Sequence, residues 1–225
     1  MNKFLILFAA LLCAHQFSNA QTEKGNQTLG FYVGLQYNQS TDNYFDNTSI
    51  GFTTSKVKTA NFNLGPLYSY FIADNLDLGA TIMLSSYSTT TSYPTVAGSN
   101  QNHNNSYTAL VFLRKYYLYA GKIGIRTGPY AGYIWANQGY DYPAAQATNS
   151  YSSDGHAYLV GGKVEAVYFP SKHFGVSALL ANLNFQHGNN KSINSATYDN
   201  TTSNSIDFTF INNLSLSAFY VFGGK

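Results

Sequence analysis

The sequence predicts an all-β protein, an eight-stranded antiparallel up-and-down transmembrane β-barrel. Apolar residues recur at every second position over long runs, the connections alternate between tight turns and long polar links, and charge is too scarce for a water-exposed surface. Of 225 residues, 12 are Lys or Arg and 10 are Asp or Glu, so charged residues make up 10%, against about 25% in a typical soluble domain. Aromatic residues reach 16%, with 20 Tyr and 16 Phe beside one Trp. A chain this rich in aromatic and β-branched residues is not disordered. Its net charge of +2 is too small for a nucleic-acid footprint.

The first twenty residues are set aside before the fold is read. Met1-Asn2-Lys3 gives a positive start, Phe4 to Ala14 an apolar core, and Ser18-Asn19-Ala20 a small-x-small cleavage site. This is the pattern of a secretory signal peptide cleaved near Ala20-Gln21, and its apolar core is too short to span a bilayer. The single cysteine, Cys13, lies inside it and follows Leu12 rather than a small residue, so lipidation is not expected. The mature chain then has no disulfide. Residues 21–225 form one barrel domain.

Eight runs carry the period of two. The first is Leu29, Phe31, Val33, Leu35 and Tyr37, separated by Gly30, Tyr32, Gly34 and Gln36. The second holds Phe62, Leu64, Pro66, Tyr68 and Tyr70, and the third Leu76, Leu78, Ala80, Ile82 and Leu84. The fourth runs from Ala109, Val111 and Leu113 to Tyr117 and Tyr119; the fifth from Ile123 and Ile125 to Tyr133 and Trp135. Tyr158, Val160, Val164, Ala166 and Tyr168 mark the sixth, with Lys163 and Glu165 on its other face. Phe174, Val176, Ala178 and Leu180 open the seventh, and Phe208, Phe210, Leu214, Leu216, Ala218, Tyr220 and Phe222 make the eighth. Alternation sustained this long indicates strands with one apolar and one mixed face.

Tight turns are expected at Ala73-Asp74-Asn75, Ala120-Gly121-Lys122 and Pro170-Ser171-Lys172-His173. The other links, near 41–53, 89–104, 139–154 and 188–203, are long and crowded with Asn, Ser, Thr, Gly and Tyr. Short and long links therefore fall at opposite ends of the sheet, the arrangement of an outer-membrane barrel with short periplasmic turns.

Composition decides which face meets lipid. The face opposite the apolar one is mostly Gly, Ser, Asn, Ala and Tyr, with Arg114, Arg126, Lys163, Glu165 and Asp77 as its main charges. That set makes a poor soluble exterior and a good narrow lumen, where Gly124, Gly128, Gly132 and Gly161 leave room for closure. Arg114, Arg126, Lys163 and Glu165 lie at similar heights on sequential strands and form the expected lumen charge network. It is read as a structural plug of a narrow barrel, with a polar gate as the alternative. Tyr68, Tyr70, Tyr117, Tyr119 and Tyr168 near the short turns, with Tyr37, Tyr133, Trp135 and Tyr158 near the long links, form two expected aromatic girdles. Pro66 and Pro129 lack the ladder donor and suggest a bulge at each. The apolar phase slips around Leu179-Leu180, and Asn212 falls on the lipid-facing phase.

Phrases such as Tyr70-Phe71-Ile72-Ala73-Asp74-Asn75-Leu76-Asp77-Leu78-Gly79, Gly128-Pro129-Tyr130-Ala131-Gly132-Tyr133 and the final Leu214-Ser215-Leu216-Ser217-Ala218-Phe219-Tyr220-Val221-Phe222 resemble turns and strands of the small outer-membrane β-barrels of OmpA and OmpX type. The resemblance covers 21–222 and rests on pattern. It implies an outer-membrane location, contact with outer-membrane lipid, and insertion by the barrel-assembly machinery, which reads the last strand. Here Gly223-Gly224-Lys225 follow the terminal aromatic. With no peptidoglycan-binding domain in view, a wall-anchoring role is not expected.

No catalytic, cofactor-binding or metal-binding residues are assigned. His103, His156, His173 and His187 have no metal-ligand spacing, and His156 beside Ser152 or Ser153 is a pairing expected by chance in Ser-rich segments. The long links are the candidate contact surface for a ligand. The expected role is therefore a monomeric structural or surface-interaction protein without catalysis. A narrow porin-like channel for small solutes is the first alternative and a soluble lipocalin-like carrier the second; the latter lacks its Gly-x-Trp and terminal helix here.

Overall fold

The computed structural model describes residues 21–46, 51–92, 99–141, 151–194, 197–211 and 214–223. The expected signal peptide with Cys13, and Asn212, lie outside them. The strands are β1 (Gln27–Asp46), β2 (Gly51–Ala73), β3 (Leu76–Ser92), β4 (Ser99–Tyr119), β5 (Ile123–Asp141), β6 (Tyr151–Ser171), β7 (Phe174–Asn194), β8 (Thr197–Phe210) and β9 (Leu214–Phe222). All pairings are antiparallel, each of β1 to β7 with the next, and β9 joins β7 back to β1. The expected eighth strand is thus two segments. Among the described residues β9 pairs with both neighbours in the ring, whereas β8 pairs with β7 alone.

Among the described residues the ring is closed in its turn-proximal half only. The β1–β9 ladder runs from Gln27↔Phe222 to Leu35↔Leu214, and beyond Leu35 strand β1 is paired with β2 alone. The break has a local cause. Leu180 is skipped in the β6–β7 register, between Glu165↔Leu179 and Val164↔Ala181, which is the bulge behind the phase slip in the sequence. Opposite it, Ile211 adopts φ 43° and donates its amide to the Leu180 carbonyl at 3.0 Å. A β-branched residue in that conformation cannot continue a strand.

The expected bulges at Pro66 and Pro129 are absent. Pro66 pairs with Phe31 and Pro129 with Gly162 in unbroken register. On the other side of each strand the ladder skips two residues and resumes unchanged, from Leu64↔Leu84 to Leu67↔Thr81 and from Phe112↔Tyr130 to Lys115↔Thr127. The missing donor therefore leaves a gap without shifting the register. Thr81 Oγ1 supplies a donor to the Pro66 carbonyl at 2.7 Å. Beside Pro129, a Cβ on Gly128 would run into the Leu113 carbonyl, so the close approach of β4 and β5 requires glycine there.

The long links are also shorter than expected, because the strands continue into them: β1 reaches Asp46, β4 starts at Ser99 and β7 reaches Asn194. From β1 to β7 the strands have 17 to 23 residues, where a bilayer needs 9–11. The exterior shows where the bilayer ends. The paired row Leu64, Leu84, Tyr107, Trp135 is apolar and aromatic. Two residues farther out the row is still apolar on β1 and β2, at Leu35 and Phe62, and turns polar at Ser86, Asn105, Asn137 and Asp154, with Asn137 Nδ2 donating to Asp154 Oδ1 at 2.7 Å. Below that boundary Leu29, Phe31, Leu78, Ile82, Val111, Ile125, Val160 and Leu216 all point outward and are exposed, while Arg114, Arg126, Asp77 and Glu165 are buried inside. Apolar outside and ionic inside is the arrangement of a transmembrane barrel.

Val111 is 57% exposed, so in a water-soluble protein Val111→Arg would be nearly neutral. On a lipid face it removes about 2–4 kcal/mol, whereas Ser88→Arg above the aromatic row stays within about 0.5 kcal/mol. Urea titration of the barrel folded into lipid vesicles measures both.

Candidate functional site

The lumen is filled in layers. Nearest the tight turns, Phe71, Tyr116, Val167, Phe169, Phe219 and Val221 form an apolar plug, with Phe169 and Phe219 edge to face at 5.6 Å. The chain start covers the same mouth. Gln21, Thr22 and Asn26 are buried, Thr22 Oγ1 donates to Asn75 Oδ1 at 2.6 Å, and the Gly25 amide donates to the Phe71 carbonyl at 2.9 Å. Asn75 takes φ 60°, a conformation its side chain tolerates, and so closes the two-residue turn that holds this segment.

Above the plug lies a polar belt. Register sets Asp77 beside Arg114 on β3 and β4, and Arg126 beside Glu165 on β5 and β6. Arg114 donates to Asp77 through Nε at 3.0 Å and Nη2 at 2.5 Å. Arg126 donates to Glu165 through Nε at 2.8 Å and Nη2 at 3.1 Å. Tyr116 joins the pairs: its hydroxyl donates to Asp77 Oδ2 at 3.0 Å and accepts from Arg126 Nη1 at 3.3 Å. Toward one side Ser69 donates to Asp77 at 2.7 Å and is bonded to Thr28 at 2.6 Å. Toward the other, Arg126 Nη2 donates to Ser177 at 2.7 Å and Ser217 at 3.1 Å. Thr28, Ser69, Asp77, Arg114, Arg126, Glu165, Ser177 and Ser217 come one from each strand of the closed ring, β1 to β7 and β9. Buried ion pairs hold only when their remaining lone pairs and protons are met, and here the serines and Tyr116 meet them.

A second apolar layer of Leu67, Leu110, Phe112, Tyr130 and Leu159 lies above the belt. Between the two, a cavity of about 30 Å³ is the space left.

Of the four charged residues picked out in the sequence, Arg126 and Glu165 form a pair, Arg114 pairs instead with Asp77, and Lys163 has no ion pair among the described residues. Lys163 lies over the Tyr130 ring at 4.7 Å. Asp77 and Tyr116 were not among the four. The signal for Tyr116 was its place two residues from Arg114, on the same face of β4. Among the nine girdle positions Tyr37, Tyr68, Tyr70, Tyr117, Tyr119, Trp135 and Tyr158 are exposed on the outer wall; Tyr133 and Tyr168 are partly covered. Tyr133 packs edge to face on Trp135 at 4.5 Å and on Tyr158 at 4.9 Å. His156 stacks on Tyr133 at 6.1 Å on the outer wall, while Ser153 is buried on the opposite face. Ser152 shares the His156 face but lies four residues along the strand, roughly 13 Å away. No group of three potential metal ligands occurs among the described residues.

Removing one partner of the belt strands the other charge. Glu165→Ala is expected to lose about 3–5 kcal/mol, and the joint replacement Arg126→Met with Glu165→Leu to lose clearly less. Unfolding midpoints of the two variants, read from the heat-dependent gel shift, rank them.

No family model matches the chain, and no curated protein matches it. Solved structures do. The outer membrane protein OprG from Pseudomonas aeruginosa is similar at 13% identity over 92% of this chain and 100% of that one, with a TM-score of 0.47. Ail, the attachment invasion locus protein of Yersinia pestis, aligns at 13% identity over 88% and 99% with a TM-score of 0.39. The outer membrane protease OmpT from Escherichia coli aligns at 10% identity over 92% and 97% with a TM-score of 0.42. The barrel is shown by its own hydrogen-bond ladder.

Proposed function

We propose that the chain, after loss of residues 1–20, is an outer-membrane barrel that works as a rigid anchor for surface contact and neither conducts solutes nor catalyses a reaction. One observation carries this reading: the lumen is crossed by a belt to which every strand of the closed ring contributes, with an apolar layer on each side and the chain start over one mouth. Eight-stranded barrels have interiors just wide enough for side chains to fill, and these residues fill it. Opening a path would break two bidentate ion pairs in a low-dielectric interior.

The other end supports the contact role. Above the aromatic row the strands extend about eight residues farther, roughly 15–25 Å of polar sheet outside the bilayer. Both faces there carry Ser, Thr, Asn and Tyr, as in Thr89-Thr90-Thr91-Ser92 and Asn100-Gln101-Asn102-His103-Asn104-Asn105. Tyr, Ser and Asn make adaptable contact surfaces, and a plugged barrel holds them in fixed relative positions.

Purified protein in a planar bilayer gives no steady conductance steps on this reading. Steady steps of one size would replace it with the solute channel. On intact cells an added protease cuts within 86–105 and leaves the membrane-embedded barrel whole.

A further inference from the structure

The polar wall of the cavity above the belt is Lys163, Arg114, Arg126, Tyr32, Tyr130 and Thr81, with Ser217 and the Glu165 carboxylate, which is held by Arg126, at its floor. Lys163 Nζ meets the ring faces of Tyr130 at 4.7 Å and Tyr32 at 5.8 Å. No described residue gives it a hydrogen-bond acceptor, and the two buried carboxylates are held by other groups. The neighbouring hydroxyls bond to other groups, and among the described residues none is hydrogen-bonded to Lys163 Nζ. Tyr130 donates to Asn182 Oδ1 at 2.8 Å, Tyr32 accepts from Ser215, and Thr81 donates to the Pro66 carbonyl. Arg114 uses Nε and Nη2 on Asp77 and Ser69, and its Nη1 has no acceptor among the described residues. Arg126 has all three of its nitrogens bonded.

Charge is also unbalanced. Arg114, Arg126 and Lys163 face only Asp77 and Glu165, so one cation is in excess. The next lumen-facing carboxylate, Asp207, is solvent-exposed on β8 and accepts from Ser205 at 3.2 Å. Buried donors without acceptors, and a buried charge without a partner, are both unfavourable.

We infer that this cavity binds one small monovalent anion of halide size, held by Lys163 Nζ and Arg114 Nη1. A volume of about 30 Å³ is room for one water-sized body. A halide is somewhat wider than water and much smaller than sulfate, phosphate or organic acids. One negative charge balances the five ionised groups, and the aromatic and aliphatic wall suits a weakly hydrated ion that accepts from all sides. The site is separate from the outer contact surface and does not depend on it.

The test compares sodium chloride and sodium bromide with sodium gluconate, whose anion is too large for the cavity, at equal ionic strength on the detergent-folded barrel. Chloride and bromide raise the unfolding midpoint by about 2–4 °C, with saturation, and gluconate does not. In Lys163→Met, which keeps the length of the side chain without its charge, the halide-specific rise disappears. Quadrupolar broadening of the chloride NMR line by the wild-type protein, reversed by bromide, gives the same answer without a variant. Equal midpoints in chloride and gluconate, together with an unbroadened line, would mean that the cavity holds water and would overturn the proposal. A halide rise that survives in a folded Lys163→Met would overturn it too, by placing the ion elsewhere.

Discussion

In hydrocarbon, a backbone N–H or C=O without a partner costs several kcal/mol, so a sheet that crosses a bilayer must close on itself. That constraint fixes which residues meet here. Closure through β9 sets the register of β1 against β9 and of β9 against β7, and with it the positions at which eight inward side chains share one level. The belt is a consequence of the closed ladder. Asp77 faces Arg114 and Arg126 faces Glu165 because the strands that carry them pair at those residues.

A narrow closed ring leaves the inward side chains no room to avoid one another. Charged groups in such a space must be paired, and each pair must have its remaining hydrogen-bonding capacity met. The chain does this with small hydroxyls, Thr28, Ser69, Ser177 and Ser217, and with one phenol, Tyr116. The phenol has a second use. Its ring packs against Phe71 at 5.4 Å and Phe169 at 6.4 Å in the plug, so the same residue ties the ionic layer to the apolar layer below. Lys163 is left out of this economy of partners, and its ammonium meets rings.

The outer wall was legible in the sequence because lipid imposes a strict period of two: Leu29, Phe31, Leu78, Ile82, Val111, Ile125, Val160 and Leu216 are each outward where the alternation puts them. The Leu180 bulge was legible for the same reason, as a slip in phase. The strand ends beyond the bilayer were not. Outside lipid no face must be apolar, so runs such as Thr89-Thr90-Thr91-Ser92 pair as strand without any periodic mark. The two prolines misled because a missing donor suggested an extra residue, whereas the sheet leaves two rungs unmade and keeps count. Asp77 was read as a lumen charge but not as a member of the network, for a further reason. Asp77 comes directly after a tight turn, lower in its own strand than the charges on β4 to β6, and only the register carries it level with Arg114.

The seam between β1 and β8 follows from where partners run out. Up to Leu35, strand β1 is fastened to β9 by backbone pairing, and Thr28 and Ser217 bind both strands into the belt. Above that level no belt residue comes from β1 or β8. Strand β8 still has reason to follow β7, since Ile206, Phe208 and Phe210 continue the outward apolar rows of Phe185, Leu183 and Ala181. Nothing comparable draws it to β1, whose outward residues beyond Tyr37 are Gln39 and Thr41. With Ile211 turned by its positive φ and hydrogen-bonded to the Leu180 carbonyl, the chain is handed to β7 alone. Closure in this protein is therefore tightest where the lumen holds its ions, and it ends where the apolar rows of β1 end.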